Sequence, residues 1–383
     1  MTDDSYRGST ILAWAVAVLL LCVNSGGFAD SYEPREYHSE RHSFRLVPVG
    51  GPFDQAWGMA FLPDGRILVT ELDGNLRILH PGEKPSDPLP GLPWIESFGQ
   101  GGLMDVAIDP DFTTNRRIYL SHTWDTGGGK TTAVSTVRLE DDRLHGFGVV
   151  FVGRAGSRSG RHFGSRLRFD ADGNLFVTIG DRGHRPNAQD LGTHAGTILR
   201  LNPDGTAPAD NPFVGRAGAL PEIWSYGHRN PQGLAFDPET GKLWSQEHGP
   251  RGGDEVNLVK RGRNYGWPTI TYGRNYSGTR ITDETSRVGM EQPATYWVPS
   301  IAPSGLTVYR GDRFPQWNGN LFVGALRSRL LVRLELDGER VIHEERLLTD
   351  FGNRIRDVRT GPDGLIYLLL DENSTAVWRL EPR

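Results

Sequence analysis

The six residues 172–177, Asp-Gly-Asn-Leu-Phe-Val, join a tight-turn pair to a run of strand-forming side chains. Asp-Gly and Asn-Gly pairs accept the positive φ angles of short hairpin turns, and Leu, Phe and Val favour the strand that follows. The same pattern recurs at residues 64–69, 318–323 and 363–368, with weaker copies at 115–120 and 240–244. The chain therefore contains a repeated turn-and-strand unit.

One strand residue in each copy marks the repeat, and these markers are Ile67, Ile118, Leu175, Leu243, Leu321 and Ile366. Their spacings of 51, 57, 68, 78 and 45 residues, without a linker, predict an all-β, six-bladed β-propeller. A β-sandwich or a pair of β-domains is the disfavoured alternative. We expect long loops in blades four and five, where the spacing is widest. We also expect a strand at 44–49 to pair with one at 376–380 and close the ring.

The N-terminus has the features of a secretory signal. Residues 11–23 form an unbroken apolar run of 13 residues, too short to span a bilayer comfortably. Small residues then precede Asp30, so we expect a signal peptide over residues 1–29, with an uncleaved anchor as the alternative. An N-terminal extension over 30–42 and a single propeller domain over 43–383 follow. This organisation predicts a periplasmic or secreted protein with no stable membrane insertion after cleavage.

Composition excludes several functional classes. The 383 residues include 42 Lys and Arg and 47 Asp and Glu, a formal net charge of -5, and no block of basic residues stands out. This balance argues against a nucleic-acid partner. The one cysteine, Cys22, lies in the apolar run, so the mature chain is expected to lack both a thiol nucleophile and Cys-ligated metals.

Two loop residues could form a general base and its partner. His162 lies in a polar loop beside Gly164, and Asp181 follows the strand that begins at Leu175. Histidine is the usual general base near neutral pH, and a carboxylate can orient it and stabilise its protonated form. Taken singly, each has an ordinary alternative, namely a structural hydrogen-bonding histidine and a strand-end turn aspartate.

Other loops carry residues suited to an anionic ligand. Gln100 stands among three glycines, and Arg229 and Asn230 lie in a dense polar loop that offers a guanidinium and an amide. Arg354 and Arg356 alternate, so on an extended strand both point to one face. With Arg327 from a neighbouring loop they could cradle a polyanion, although a solvated charged edge strand is the common alternative.

The segment from His248 to Pro268 is the most distinctive. Asp254, Glu255 and several exposed carbonyls are hard oxygen donors, which suit Ca²⁺ better than a transition metal. His248 could indicate Zn²⁺, but no second His or Cys stands at zinc-like spacing, so we reject that metal.

These segments, in this order from Phe44 to Leu380, resemble the soluble PQQ-dependent glucose/sorbosone dehydrogenase family, and within it the aldose sugar dehydrogenases of the bacterial periplasm. The resemblance implies PQQ and Ca²⁺ as cofactors. It implies oxidation of an aldose sugar to a lactone by hydride transfer to PQQ, with electrons passed to an external acceptor, a quinone or a small redox protein.

The resemblance also implies roles for single residues. His162 is the implied catalytic base, Asp181 its acidic partner and Arg229 a third catalytic residue. The implied PQQ contacts are Gln100, Arg229, Asn230, Arg327, Arg354 and Arg356. The backbone carbonyls of Gly249 and Pro250 are the implied ligands of the catalytic Ca²⁺, and Glu255 with the backbone oxygen of Tyr265 would bind a second Ca²⁺. Arg161 departs from the acidic residue that glucose dehydrogenases carry there, which favours a broader aldose specificity.

Two other functions stay open. A metal-dependent sugar lactonase on a similar propeller also uses a Ca²⁺-like ion, but it needs neither a redox cofactor nor an arginine cradle. A non-catalytic Ca²⁺-binding propeller could recognise glycan or protein, because fold does not fix function.

Overall fold

The computed structural model describes residues 32–383. Within this range lie twenty-four strands, one short α-helix at Phe112–Asn115 and 3₁₀ turns at Arg185–Gln189 and Pro315–Trp317. The strands are β1 (Arg35–His38), β2 (Ser43–Phe53), β3 (Ala56–Phe61), β4 (Ile67–Glu71), β5 (Leu76–Leu79), β6 (Leu103–Ile108), β7 (Arg117–Asp125), β8 (Lys130–Glu140), β9 (Arg143–Val152), β10 (Leu167–Phe169), β11 (Leu175–Ile179), β12 (Thr197–Leu201), β13 (Ile223–Tyr226), β14 (Pro231–Phe236), β15 (Leu243–Glu247), β16 (Asp254–Val259), β17 (Thr295–Trp297), β18 (Pro303–Val308), β19 (Leu321–Ala325), β20 (Leu331–Asp337), β21 (Arg340–Leu347), β22 (Ile355–Thr360), β23 (Ile366–Leu370) and β24 (Thr375–Pro382).

The strands form six antiparallel sheets arranged as the blades of a propeller, which confirms the predicted fold. Blade one is β3–β5, blade two β6–β9, blade three β10–β13, blade four β14–β17 and blade five β18–β21. Blade six has the order β1-β2-β24-β23-β22. The first strands of successive blades, β3, β6, β10, β14, β18 and β22, contact one another around the axis.

The last blade combines both ends of the described chain. Strand β2 pairs antiparallel with β24, with Leu46 opposite Leu380 and Pro48 opposite Trp378. The predicted closing pair is therefore confirmed. Within the expected N-terminal extension, β1 pairs with β2 and adds an outer strand to blade six. The expected signal peptide over residues 1–29 lies outside the described residues.

Each repeat marker lies at the start of the second strand of its blade, as Leu175 does in β11 and Ile366 in β23. The position expected for the long loops was wrong in part. The loops that produce the two widest spacings occupy residues 180–196 and 202–222 in blade three and 260–294 in blade four. Each marker lies in the second strand of its blade. A wide spacing between two markers therefore indicates long loops after the second strand of the first of the two blades. In residues 32–383 no helix is long and apolar enough to cross a bilayer.

Candidate active site

A cavity of about 350 Å³ opens at one end of the propeller axis. Two kinds of loop form its walls: the connections that lead into the first strand of a blade, and the turns between the second and third strands of a blade. Both kinds lie on the same face of the ring. Gln100, Asn230, Arg354 and Arg356 line it, so the structure brings together four of the residues that the sequence predicts to bind the cofactor.

His162 and Asp181 form a hydrogen-bonded pair beside this cavity. His162 Nδ1 lies 2.6 Å from Asp181 Oδ1. A carboxylate oxygen can only accept, so Nδ1 carries the proton and Nε2 is left as the basic nitrogen. Burial lowers the pKa of His162 despite its bond to Asp181, and the charge of Arg229 acts in the same direction. The imidazole is therefore neutral at neutral pH and able to accept a proton.

The Asp181 carboxylate is held at both oxygens. Oδ1 also accepts the Gly183 N–H at 2.8 Å, and Oδ2 accepts the indole N–H of Trp267 at 2.8 Å. Burial raises the pKa of Asp181, but the hydrogen bond from His162 and nearby positive charge outweigh it, so the pKa lies below its ordinary value. Asp181 thus stays ionised and can stabilise an imidazolium.

The loop that carries His162 is fixed by two neighbours. The His162 N–H donates to Gln100 Oε1 at 2.8 Å, and this holds a backbone with a φ of 58°. A positive φ at a residue other than glycine is strained, and such strain is common at functional sites. The buried Arg182 guanidinium stacks 3.5 Å from the centre of the Phe163 ring and donates to the Arg161 carbonyl. The imidazole therefore projects from a rigid loop.

The cavity wall carries two arginines that share a single carboxylate. Arg354 Nη2 lies 2.6 Å and Arg356 Nη2 3.1 Å from Asp371 Oδ2. The two alternating arginines therefore face the same way, as expected. Burial raises the pKa of Asp371, but the charges of Arg356 and Arg354 bring it below its ordinary value. Two guanidiniums against one carboxylate leave a net positive charge at the cavity.

Arg229 connects the His162–Asp181 pair to the predicted calcium segment. Its Nη1 donates to the carbonyls of His248 at 2.9 Å and Gly249 at 2.8 Å. The guanidinium lies 5.4 Å from the centre of the Trp267 ring. Arg229 is 6% exposed, so its charge acts on neighbouring groups with little screening by water.

Two predicted cofactor residues do not line the cavity, Arg229 and Arg327. Arg327 is exposed, and Nη1 donates to the Ser300 carbonyl over 3.4 Å, while its neighbour Leu326 lines the cavity wall. The side chain of Arg161 is exposed as well.

The predicted calcium ligands divide into two groups. At Gly249 and Pro250 the protein offers backbone carbonyls, one of which already accepts from Arg229. In residues 32–383 no group of three or more His, Cys, Asp or Glu is placed to hold a metal. Glu255 has no ion pair in the described chain, and burial, together with the charge of Glu247, raises its pKa to about 8. Tyr265, ten positions later in the sequence, is also buried, and its ring stacks on the His228 ring with 4.6 Å between the ring centres.

Sequence reasoning missed three side chains that organise this site. Trp267 lies within the segment from His248 to Pro268, but its bond to Asp181 spans 86 positions and leaves no local signal. Arg182 follows Asp181 directly, and Asp371 directly follows the buried strand β23. A polar residue just after a buried strand is the signal that also marked Asp181, and it could have identified Asp371.

Comparisons with known proteins show which family this chain resembles. The glucose/sorbosone dehydrogenase family model matches residues 53–379. Aldose sugar dehydrogenase YliI of Escherichia coli is 47% identical over 336 residues, covering 86% of this chain and 91% of that protein. The apo-form crystal structure of the aldose sugar dehydrogenase from Escherichia coli superimposes with a TM-score of 0.86 at 45% identity, over 89% of this chain and 100% of that one.

A more distant structure carries a ligand. The PQQ-bound form of the aldose sugar dehydrogenase from Streptomyces coelicolor has a TM-score of 0.74 at 27% identity, over 88% of this chain and 98% of that one. The family match and the first relative both cover most of the chain, and the ordered motifs point the same way. The chain therefore belongs to the glucose/sorbosone dehydrogenase family and is an oxidoreductase of that family.

Proposed function

We propose that the protein oxidises aldose sugars to lactones, with PQQ as the hydride acceptor and His162 as the base. The observation that carries this proposal is the His162–Asp181 pair beside a cavity whose wall has an excess of arginine charge. The relatives named as aldose sugar dehydrogenases support the substrate class.

The cavity fits a flat polyanion such as PQQ, which carries three carboxylates. Arg356 Nε is buried and has no hydrogen-bond partner in the described chain, so a bound carboxylate would satisfy it. Trp57 lines the cavity with the Arg356 guanidinium 5.8 Å from its ring centre, and Gln100 and Asn230 add amide groups. Arg354 and Arg356 would hold the carboxylates, and Arg327 would need to change rotamer to contribute.

When bound, PQQ supplies an ortho-quinone that accepts the hydride. The sugar loses the hydrogen on its anomeric carbon as hydride, and the proton of the anomeric hydroxyl moves to His162 Nε2. Asp181 stabilises the imidazolium that results, and Trp267 and Gly183 keep its carboxylate in place. Proton removal of this kind contributes roughly 10²–10⁴ in rate. Arg229 places a positive charge near His162, where it favours the neutral form of the base before the proton is transferred.

The two predicted calcium sites differ in how well their oxygen donors suit Ca²⁺. Ca²⁺ takes six to eight oxygen ligands, so the carbonyls of Gly249 and Pro250 are too few alone, and a cation there would need oxygens from the cofactor and water. Its chemistry would be that of a Lewis acid on the quinone oxygen. At the second position Glu255 has no ion pair in the described chain and accepts only the Asn257 amide at 3.2 Å, so with the Tyr265 carbonyl it suits a structural Ca²⁺.

The apolar run at residues 11–23 supports export to the periplasm or outside the cell after cleavage at residue 29. Electrons would then pass to an external quinone or small redox protein. The exposed Arg161 supports broad aldose specificity.

The test is a PQQ titration of the mature chain with Ca²⁺, following dye reduction with a panel of aldoses. Saturable activity that requires both PQQ and Ca²⁺ is expected. His162→Ala should abolish turnover while PQQ still binds, and His145→Ala, at an exposed position on β9, should change neither. Near-normal turnover in His162→Ala would contradict the base assignment. Lactone hydrolysis without PQQ would favour the lactonase instead.

A further inference from the structure

Five charged residues fill the propeller axis beneath the cofactor cavity. We call them the axial cluster: Asp105 in β6, Arg166 and Arg168 at β10, and Asp357 and Arg359 in β22. The side chains of Asp105, Arg166 and Asp357 are fully buried. Arg359 bridges both carboxylates, with 2.7 Å from Nη2 to Asp105 Oδ1 and 2.7 Å from Nε to Asp357 Oδ2. None of these five residues takes part in the proposed proton or hydride transfer.

The axial cluster is short of negative charge. Three guanidiniums face two carboxylates, so one positive charge has no counter-ion within the cluster. Arg168 is the residue left over. Its Nη1 lies 3.2 Å from Asp105 Oδ2, and the same oxygen also accepts the Leu167 N–H at 2.9 Å. Its Nη2 is buried and has no hydrogen-bond partner in the described chain. Burial and the charge of Arg359 lower the pKa of Arg168 to about 9, so it stays charged at neutral pH.

A second cavity opens beside this uncompensated charge. It has a volume of about 380 Å³ and lies at the opposite end of the axis, among the far ends of the first strands. Arg168 and Arg359 line it together with Thr307 and Thr360, and the remaining walls are apolar, with Phe61, Phe169 and Leu306 among them. The cavity thus combines a cationic end with mainly apolar sides.

Arg166 separates the two cavities. On the cofactor side its Nη2 donates to the Arg356 carbonyl at 2.9 Å and its guanidinium lies 4.2 Å from the centre of the Trp57 ring. On the axial side its Nη1 lies 3.1 Å from Asp357 Oδ1. The second cavity is therefore a different site from the one that faces the His162–Asp181 pair.

We propose that the second cavity binds a monovalent anion, a halide or the carboxylate of a small apolar acid, on the guanidiniums of Arg168 and Arg359. A monoanion supplies the one missing charge and an acceptor for Arg168 Nη2, whereas a dianion would overcompensate the cluster. Neither aldose nor PQQ meets these requirements, since an aldose carries no negative charge and a tricarboxylate carries more than the single charge that the axial cluster lacks.

The first test is structural and uses the unchanged protein. Crystals soaked in sodium bromide should show an anomalous peak in the second cavity, in contact with Arg168 and Arg359. The second test is a calorimetric titration with sodium benzoate. A bromide peak without benzoate binding would support an anion site restricted to halides, and saturable benzoate binding would extend it to carboxylates.

Three variants show which cavity binds benzoate. Arg168→Met leaves two arginines against two aspartates, so the axial cluster stays balanced and the protein is expected to fold. Loss of one charge-assisted contact should weaken benzoate binding about tenfold or more. Arg354→Met tests the cofactor cavity, and Arg143→Met is an exposed control on β9; both should leave the affinity within about twofold.

Three results would overturn the proposal. The first is the absence of bromide from the second cavity in crystals of the unchanged protein together with no saturable benzoate binding, which is decisive even if Arg168→Met does not fold. The second is equal benzoate affinity in Arg168→Met and the unchanged protein. A loss of benzoate binding in Arg354→Met alone would place the ligand in the cofactor cavity and would overturn it as well.

Discussion

Asp181→Asn changes one atom and tests the whole arrangement of the base. The carboxylate accepts three hydrogen bonds, from His162 Nδ1, the Gly183 N–H and the Trp267 indole. An amide has only one accepting atom. If its oxygen faces His162, its NH₂ group opposes the indole N–H. If the amide turns round, its NH₂ group faces His162 Nδ1 and the Gly183 N–H, and the proton of the imidazole must move to Nε2.

Both orientations cost activity, by different amounts. Loss of a hydrogen bond to a charged group removes about 1.5–3 kcal/mol, and at about 1.4 kcal/mol per decade this lowers kcat about ten- to a hundredfold. If Nε2 becomes protonated, the base is blocked, and a loss approaching 10⁴, as for the wrong tautomer in a catalytic triad, is the expected limit.

The assay is dye-linked turnover at saturating PQQ and Ca²⁺, with the affinity for PQQ measured separately. Nitrogen NMR of His162 reports which ring nitrogen is protonated and separates the two orientations. Asp172→Asn, in an exposed turn, is the matched control. A kcat within about threefold of the unchanged enzyme, with PQQ still bound, would refute the reasoning, because about 1.4 kcal/mol corresponds to a full decade.

Four further outcomes follow from the geometry. Because burial lowers the pKa of His162, kcat/KM should be flat near neutral pH and fall as the pH drops below the ordinary histidine value of about 6.5; an acid limb above that value in a pH–rate profile would contradict this. Arg356→Gln should raise the dissociation constant of PQQ about ten- to a hundredfold, measured by absorbance titration, with kcat at saturation nearly unchanged. Glu255→Gln should abolish the rise in melting temperature that Ca²⁺ gives, and an equal rise would remove Glu255 from the metal site. Gly102→Ala places a Cβ 1.9 Å from the Leu72 carbonyl oxygen and should cost roughly 1–3 kcal/mol in the free energy of unfolding, whereas Gly128→Ala, whose Cβ would meet only Thr126 Oγ1 at 4.0 Å, should be neutral in the same denaturant titration.

The blades were predictable because their signal is local. An Asp-Gly or Asn-Gly pair followed by strand formers, as at 172–177, fixes a hairpin without help from the rest of the chain, and six such hairpins indicate a ring. The long loops were placed one blade too late in part, since the marker identifies only the second strand of each blade. No local sequence pattern predicts how many residues lie between that strand and the end of the blade.

The site was predictable only where the residue type itself indicates the chemistry. A histidine in a glycine-containing loop and an aspartate after a buried strand pointed to His162 and Asp181. The partners that set their geometry are distant in sequence. Trp267 comes from the long loop of blade four, and the direction of the Arg327 side chain depends on a rotamer that no sequence pattern specifies.

The pairing of β2 with β24 has a consequence for chain connectivity. Phe44 lies opposite Pro382, and the Arg383 N–H donates to the Ser43 carbonyl at 3.1 Å, so the ends of the propeller domain are neighbours. A short linker could join residue 383 to residue 43, and new termini could be opened in the exposed turn at 126–128. Such a circular permutant would make blade six from continuous chain and blade two from both ends, while every residue around the cofactor cavity keeps its blade.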